Sequence, residues 1–375
     1  MAKVHFKKTT TDSFFGNFLY VQIIPRNHFL VKLKEEIPWP EFLPQLLPYY
    51  KGGGEFGNSA YDPIILLKML FLSYLYNLSE RQVEEFTNFN LPAKFFVGLG
   101  ADQAAPDHAT LSVFRDRLIK GAGLLPYEQI FTKIVRLALT KDIQFGDIQV
   151  VDSSHIPANV NLIKEKTRQK EGKPPRDKDA AWGVKREKEA HTKEGKKVKV
   201  KEEFFGFKAH TSLNAETGLT TSVKVTSGAA YDGQFFKPLA EKDKRAGVKA
   251  KVYTADKAYD DGENHLYLEN EKLGDAIRLK ANRTTTKSET NNRFWQALKE
   301  KKEYQVGLKA RYQVERSYAD GKEKHTLRRC RFLGLVKFGI QVYLAFAAMN
   351  LKKIIKLTTN TSFRNGTYVY TYTYS

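Results

Sequence analysis

Three acidic residues stand in three separated contexts whose chemistry is compatible. Asp152 ends the apolar run Ile148-Gln149-Val150-Val151, Asp256 ends Lys251-Val252-Tyr253-Thr254-Ala255, and Glu315 lies inside Arg311-Tyr312-Gln313-Val314-Glu315-Arg316, which reads as helix. A carboxylate at the tip of a buried strand is costly unless something cationic meets it. Three such groups brought together repel one another and favour a divalent metal held by oxygens. In a chain of formal net charge +20, that pattern points to metal-dependent chemistry on a polyanion. Arg311, Glu315 and Lys322 are spaced by four and seven, so they project from nearly one line of a helix. Two cations bracketing a metal carboxylate would hold phosphates beside a scissile bond. Lys324, His325, Arg328, Arg329 and Arg331 continue the basic track, which a merely solvated face would also explain.

Each acid alone has a plainer role. Asp152 can cap the turn at Ser153 or Ser154, Asp256 can pair with Lys257, and Glu315 can pair with Arg311 for a few tenths of a kcal/mol. Their order, one after each appropriate element, is harder to explain that way.

The elements that must position these groups follow from local pattern. The first ~140 residues read as mainly helical. Asp62-Pro63 pairs a capping residue with proline at the first helical position, and Ser79 with Gln82 forms a capping box. Thr110 is read as the cap of a helix carrying Leu111, Phe114 and Leu118, with Arg115 and Arg117 on another face. Short helices and tight turns suit a small DNA-binding domain over 1–140, although a packing domain without DNA contact fits them equally.

From Ile143 the pattern changes. Ile148 to Val151, Phe204 to Leu213, Leu219 to Val225, Val252 to Ala255 and Ala276 to Leu279 read as strands, with 214–218 as a hairpin turn. Asp232 is expected to cap a helix through Ala240, Gly262 to Asn270 to form another, and Leu333 to Asn350 a last apolar one. Antiparallel strands first and alternating elements later imply a mixed α/β sheet with flanking helices over 141–357. Residues 161–203 hold 15 Lys+Arg and 9 Asp+Glu with Trp182 as the only aromatic, and read as a flexible charged excursion. Either a solvated loop or a DNA-contacting arm fits that composition. A Thr/Tyr-rich tail, 358–375, reads as an edge strand or an untidy terminus.

Composition narrows the classes. The excess of 62 Lys+Arg over 42 Asp+Glu favours a nucleic-acid or anionic-surface partner. The lone Cys330 excludes an internal disulfide and Cys-rich zinc sites, and the eight histidines show no ligand spacing. The longest apolar runs fall short of the ~20 residues a spanning helix needs, and Lys3, Lys7 and Lys8 precede no apolar block. A soluble, cytoplasmic protein is expected.

Asp152-Ser153-Ser154-His155, Thr254-Ala255-Asp256-Lys257-Ala258-Tyr259-Asp260 and Val314-Glu315-Arg316 resemble the three acidic motifs of bacterial insertion-sequence transposases of the DDE type. The last is similar to that group's Tyr-x2-Arg-x3-Glu-x6-Lys signature, with Arg311, Glu315 and Lys322 in register and Leu308 where the signature has tyrosine. Pro106-Asp107-His108-Ala109-Thr110-Leu111 with Phe114-Arg115 resembles the family's helical N-terminal domain. Ala181-Trp182-Gly183 and Phe205-Gly206-Phe207-Lys208-Ala209-His210 look like its second-strand region, and Leu327 to Arg331 like its closing helix.

The resemblance implies a ribonuclease-H-like catalytic domain in which Asp152, Asp256 and Glu315 are catalytic and hold two Mg²⁺ ions, with Mn²⁺ able to substitute. It implies double-stranded DNA as partner, both terminal inverted repeats and target, contacted by Arg311, Lys322, Arg328, Arg329, Arg331 and Trp182. A homodimer in the DNA complex and a nucleoid-associated bacterial location follow from the same likeness. Water would first free a 3′-OH at each end, and that hydroxyl would then attack target DNA. A ribonuclease-H-like nuclease without strand transfer, or a non-catalytic DNA-binding derivative, are the alternatives.

Overall fold

The computed structural model describes residues 6, 7, 9, 14–50, 59–191, 197–284 and 288–361. Residues 362–375, most of the Thr/Tyr-rich tail, lie outside them. The chain forms two compact units, Met1–Ile130 with Ala347–Ser375, and Phe131–Phe346.

The first unit is helical: α1 (Phe14–Ile23), α2 (Phe29–Glu36), α3 (Leu43–Leu46), α4 (Pro63–Leu75), α5 (Glu80–Phe89), α6 (Leu91–Val97), α7 (His108–Ala122) and the start of α8 (Leu125–Thr140). Asp62 caps α4 by accepting from the Ile64 amide at 2.8 Å, and Ser79 and Gln82 close the expected capping box on α5. Buried Trp39 packs edge-on against Phe71 and Phe96, with ring centroids 5.7 and 5.3 Å apart. Thr110 is not the cap of α7. The Asp107 carboxylate accepts from the Thr110 amide at 2.6 Å, so the helix starts at His108 and Thr110 sits inside its first turn. Arg115 is buried against Glu80 of α5 rather than displayed on a free face.

The second unit is built on β1 (Ile148–Pro157), α9 (Leu162–Lys170), β2 (Ala181–His191), β3 (Lys197–Asn214), β4 (Thr220–Ser227), α10 (Phe236–Ala246), β5 (Val252–Ala255), α11 (Gly262–Asn270) and β6 (Gly274–Ile277). It continues through α12 (Glu289–Glu300), α13 (Lys302–Ala310), α14 (Tyr312–Lys324) and the start of α15 (Leu335–Thr359). The described strands join in one mixed sheet. β1 pairs antiparallel with β3 and parallel with β5, β5 pairs parallel with β6, and β4 pairs antiparallel with β3. The order β4-β3-β1-β5-β6 with those directions is the ribonuclease-H-like arrangement.

Period-two alternation in β5 explains the two cores. Tyr253 and Ala255 join Val151, Phe236, Leu239 and Leu268 beneath α10 and α11, while Val252 packs with Ala276, Leu298 and Tyr304 beneath α12 and α13. β5 is buried on both faces and so reads as a nearly continuous apolar run, the one polar side chain, Thr254, donating to the Ala276 carbonyl at 3.0 Å.

Residues 161–203 are not a shapeless excursion. They carry α9 and a long two-stranded ribbon, in which β2 pairs antiparallel with the first half of β3, from Ala181↔Gly206 to His191↔Lys197. Backbone pairing needs no apolar side chains, so charge composition alone hid it. β2 and β4 meet β3 end to end, and Gly206 and Gly228 allow this. The Gly228 amide donates to the Gly206 carbonyl at 2.8 Å, and a Cβ on Gly228 would lie 2.5 Å from the Ala181 carbonyl.

Helix α15 is long and apolar enough to cross a membrane by composition, but 89% of its apolar window is buried inside the protein. Its apolar surface is therefore already covered, in keeping with a core helix.

Candidate active site

The parallel ladder places two of the three acids. β1 and β5 pair from Ile148↔Val252 to Val151↔Ala255, and the next residue on each strand is Asp152 and Asp256. Hydrogen-bonded strands run about 4.8 Å apart, so two carboxylates are set side by side where the pairing stops. Asp152 does not end its strand: β1 continues to Pro157 against β3, and only its parallel neighbour ends there. The carboxylate thus lies at a notch in the sheet edge rather than at a strand tip. Asp256 does end β5, and its Oδ1 accepts from the Ala258 amide at 2.6 Å, capping the short turn Lys257–Tyr259.

Electrostatics confirm that these acids share one environment. Burial pushes the Asp152 carboxyl up to about 7, and Asp256 and Asp232 push it further in that direction. The Ser153 amide, 2.8 Å from Oδ1, and the Arg311 guanidinium oppose the shift.

Glu315 is placed differently. It is exposed in the first turn of α14, and among the described residues no three His, Cys, Asp or Glu side chains come close enough to hold one ion. The ladder register sets Asp152 beside Asp256, and Glu315 lies exposed on α14. Its helix is nevertheless anchored to the site. Tyr318 Oη, three residues on and buried, lies 2.8 Å from the Ala209 carbonyl, 3.1 Å from the Asp152 carbonyl and 2.8 Å from Thr211 Oγ1. Its single proton goes to a carbonyl while its lone pairs face the threonine. Glu315 stands one turn N-terminal to that anchor.

Arg311 is not inside the helix either, because it forms the junction between α13 and α14. Its Nε is buried without a hydrogen-bond partner, and its charge acts on Asp152. Lys322 is half-buried; burial and then Lys185 pull its pKa below the usual lysine range, while Asp152 pulls the other way. Arg311, Lys322 and the acid pair form one electrostatic group.

The remaining basic track divides. Arg328 is exposed. Arg329 is committed to the fold, donating to the Ala158 carbonyl at 3.3 Å and the Val160 carbonyl at 2.6 Å. Arg331 is half-buried, its carbonyl accepting from Asn159 Nδ2 at 3.0 Å. Trp182 packs against Phe205 at 5.3 Å between centroids, with Lys166 Nζ 5.6 Å from its ring.

Two groups escape the motif reading. Lys208, nearly buried, donates to Asp232 Oδ1 at 2.9 Å and to the Ala230 carbonyl at 2.8 Å. Asp232 therefore holds a buried ammonium beside the site and does not cap α10, which begins at Phe236. The available signal was the lysine itself, flanked by Phe207 and Ala209 in a strand that buries both. His155, ring to ring with Phe204 at 4.5 Å, is neutral: burial, and next Lys208, lower its pKa to about 4.

The oxygen-only acid pair fits a hard divalent cation. Mg²⁺ is ordinarily bound through one or two carboxylates with phosphate oxygens completing its shell, which is the number the β1–β5 notch offers. A carboxyl raised to about 7 by its neighbourhood is the response expected of a site built to share charge with a cation.

The fold is a ribonuclease-H-like mixed sheet with Asp152 and Asp256 at the β1–β5 notch. The comparisons specify the family within it. Residues 143–351 match the Transposase DDE domain family, and residues 19–117 match the Transposase domain (DUF772). The first match covers more than half of the chain, which therefore belongs to the DDE transposase family. The transposase for insertion sequence element IS1106 of Neisseria meningitidis serogroup B is 32% identical over 149 residues, 40% of this chain. That alignment spans about half, 46%, of the relative's length. A piggyBac transposase synaptic complex with hairpin DNA overlays with TM-score 0.30 and 11% identity, over 74% of this chain and 54% of that one. A Mos1 transposase paired-end complex with left transposon end gives TM-score 0.19 and 9% identity, over 74% and 83%. Overlays at these scores place no residue of this chain.

Proposed function

We propose that this chain is the transposase of an insertion sequence that binds the element's terminal inverted repeats, cleaves at the ends and joins the freed 3′-OH ends to target DNA. The observation that carries the reading is the adjacency of Asp152 and Asp256 one residue beyond a parallel ladder, with Asp152 raised to about 7. Asp152 and Asp256, with Glu315 from α14, would hold the divalent ions, which would supply Lewis acidity for displacement at phosphorus.

The chain's own groups do the rest. Burial raises the Asp152 carboxyl to about 7, so holding a divalent ion there would be coupled to proton loss. Arg311 and Lys322 clamp the phosphates flanking the scissile bond, and Tyr318 keeps α14 against the backbone of Asp152. In the first reaction water attacks phosphorus, the P–O3′ bond breaks and the end leaves as a 3′-OH. In the second, that hydroxyl attacks a target phosphodiester, one P–O bond forms and one breaks, and the target's own 3′-oxygen leaves. Chain and ribbon charge suit DNA binding, with a homodimer pairing two ends. Labelled duplexes carrying the inverted repeats that border the gene test this directly. Joined products in Mg²⁺ are expected, and nicks without joined products would replace transposition by hydrolysis.

A further inference from the structure

We propose that His265, clamped as a cation between Asp260 and Asp275, is a positioning residue that fixes the loop carrying Asp256. The proposal rests on Asp256 being catalytic, as read above.

The geometry is specific. His265 Nε2 lies 2.9 Å from Asp260 Oδ1, and Nδ1 lies 2.5 Å from Asp275 Oδ2. A neutral imidazole offers one donor and one acceptor, so only the imidazolium satisfies two carboxylates at once. Asp260, its side chain fully buried, also accepts from the Lys280 amide at 2.6 Å and Arg283 Nε at 3.0 Å, and its carbonyl accepts from Lys280 Nζ at 2.8 Å. Burial works against its ionisation, but these donors hold its carboxyl below the usual range. Burial likewise opposes the charge on His265, and Asp275 with Asp260 overcomes it, raising the ring above its ordinary value. From α13, Tyr304 Oη accepts from the Leu279 amide at 3.3 Å and senses both acids. The ring packs at a tilt against Trp295 of α12, centroids 4.8 Å apart, and the Arg283 guanidinium carbon lies 5.1 Å from the centre of the same indole.

The clamp bears on the site through the chain. Asp256 is held on one side by the end of β5, and four residues later Asp260 is held by the clamp. Between them Tyr259 is buried in the core and its carbonyl accepts from Asn264 Nδ2 at 3.0 Å. Removing the imidazolium proton leaves one of the two carboxylates facing a lone pair, which weakens the clamp at the far end of this short loop while the Lys280 and Arg283 donors to Asp260 remain. A shift of about 1 Å in a reacting group is enough to cost roughly 10²-fold in rate. The folded ring binds its proton more tightly than the unfolded one, so this support is present at low pH and is lost as pH rises through the raised value.

The full-length protein with a labelled duplex of its own inverted repeat, in Mg²⁺, tests this. His265→Gln is expected to slow single-turnover cleavage roughly 10- to 100-fold with duplex affinity within about twofold. Asp275→Asn is expected to move the alkaline limb of the rate profile down by roughly one pH unit. Ring nitrogen NMR shifts of the wild type are expected to show a doubly protonated His265 at pH 7, a readout independent of activity. A neutral ring at that pH, wild-type cleavage by His265→Gln or an unmoved limb in Asp275→Asn overturns the proposal; should His265→Gln not fold, the other two measurements decide. Asp256→Asn runs in parallel, and unimpaired cleavage there removes the premise instead.

Discussion

Asp152 lies on β1 and Asp256 directly follows β5, whereas Glu315, Arg311 and Lys322 sit on or beside a helix, and the two groups are positioned by different physics. The strand acids inherit their adjacency from ladder register: once Val151 pairs with Ala255, the next residues have no other place to go. The helical group depends on how α14 lies against the sheet, where the Tyr318 hydroxyl reaches carbonyls of both β1 and β3. Register is all-or-none, because a one-residue slip reverses every side chain. Helix docking is graded. The acid pair is therefore assembled in the protein alone, while Glu315 stands exposed.

The contrast can be broken most sharply at the acids. Asp152→Asn and Asp256→Asn are expected to abolish cleavage, by roughly 10³-fold or more, and also to abolish Mn²⁺ binding by the DNA-free protein measured calorimetrically. Glu315→Gln is expected to abolish cleavage equally but to leave DNA-free Mn²⁺ binding intact; loss of that binding would show that α14 is already closed. Next in size, Tyr318→Phe is expected to lower cleavage about tenfold and stability by about 1–2 kcal/mol, read by urea denaturation, because it orphans buried groups on β1 and β3. Arg329→Ala is expected to cost about 1 kcal/mol of stability with little change in DNA affinity, and Lys322→Ala to do the reverse.

The smallest effect is one of pH. The folded Asp152 carboxyl titrates near 7, above its unfolded value of 3.8, so the folded state binds the extra proton between those limits. Stability without divalent ions is expected to fall as pH rises across that window. Thermal melts of Asp152→Asn are expected to be flatter there, and an equal slope would remove the acid pair as its origin.

Legibility in the sequence followed the range of the interactions. β5 and α11 have the bounds the pattern assigns them, and the caps at Asp62 and Ser79 form as read, because these signals lie within a few residues. The placement of Asp152 beside Asp256 was legible too, since each follows an apolar run and the two runs pair in parallel, although β1 continues past Asp152. Lys208 and Asp232 were not, because a buried ammonium finds its partner 24 residues away through the sheet. The β2–β3 ribbon was missed because its charged side chains carry no periodic apolar signal. The helical spacing of Arg311, Glu315 and Lys322 was real in number, but the helix restarts at Arg311, a break that identical residues in a continuous helix would not have revealed.

The crossing at Gly206 and Gly228 divides the ribbon into parts with unequal mutational tolerance. Beyond the crossing β2 and β3 are joined by an antiparallel backbone ladder, whose hydrogen bonds do not depend on which side chains it carries. At the crossing even a methyl group meets a neighbouring carbonyl. A lineage of such proteins can therefore rewrite the outer ribbon freely while its root stays the same, and sequence variation among them should rise with distance from those two glycines.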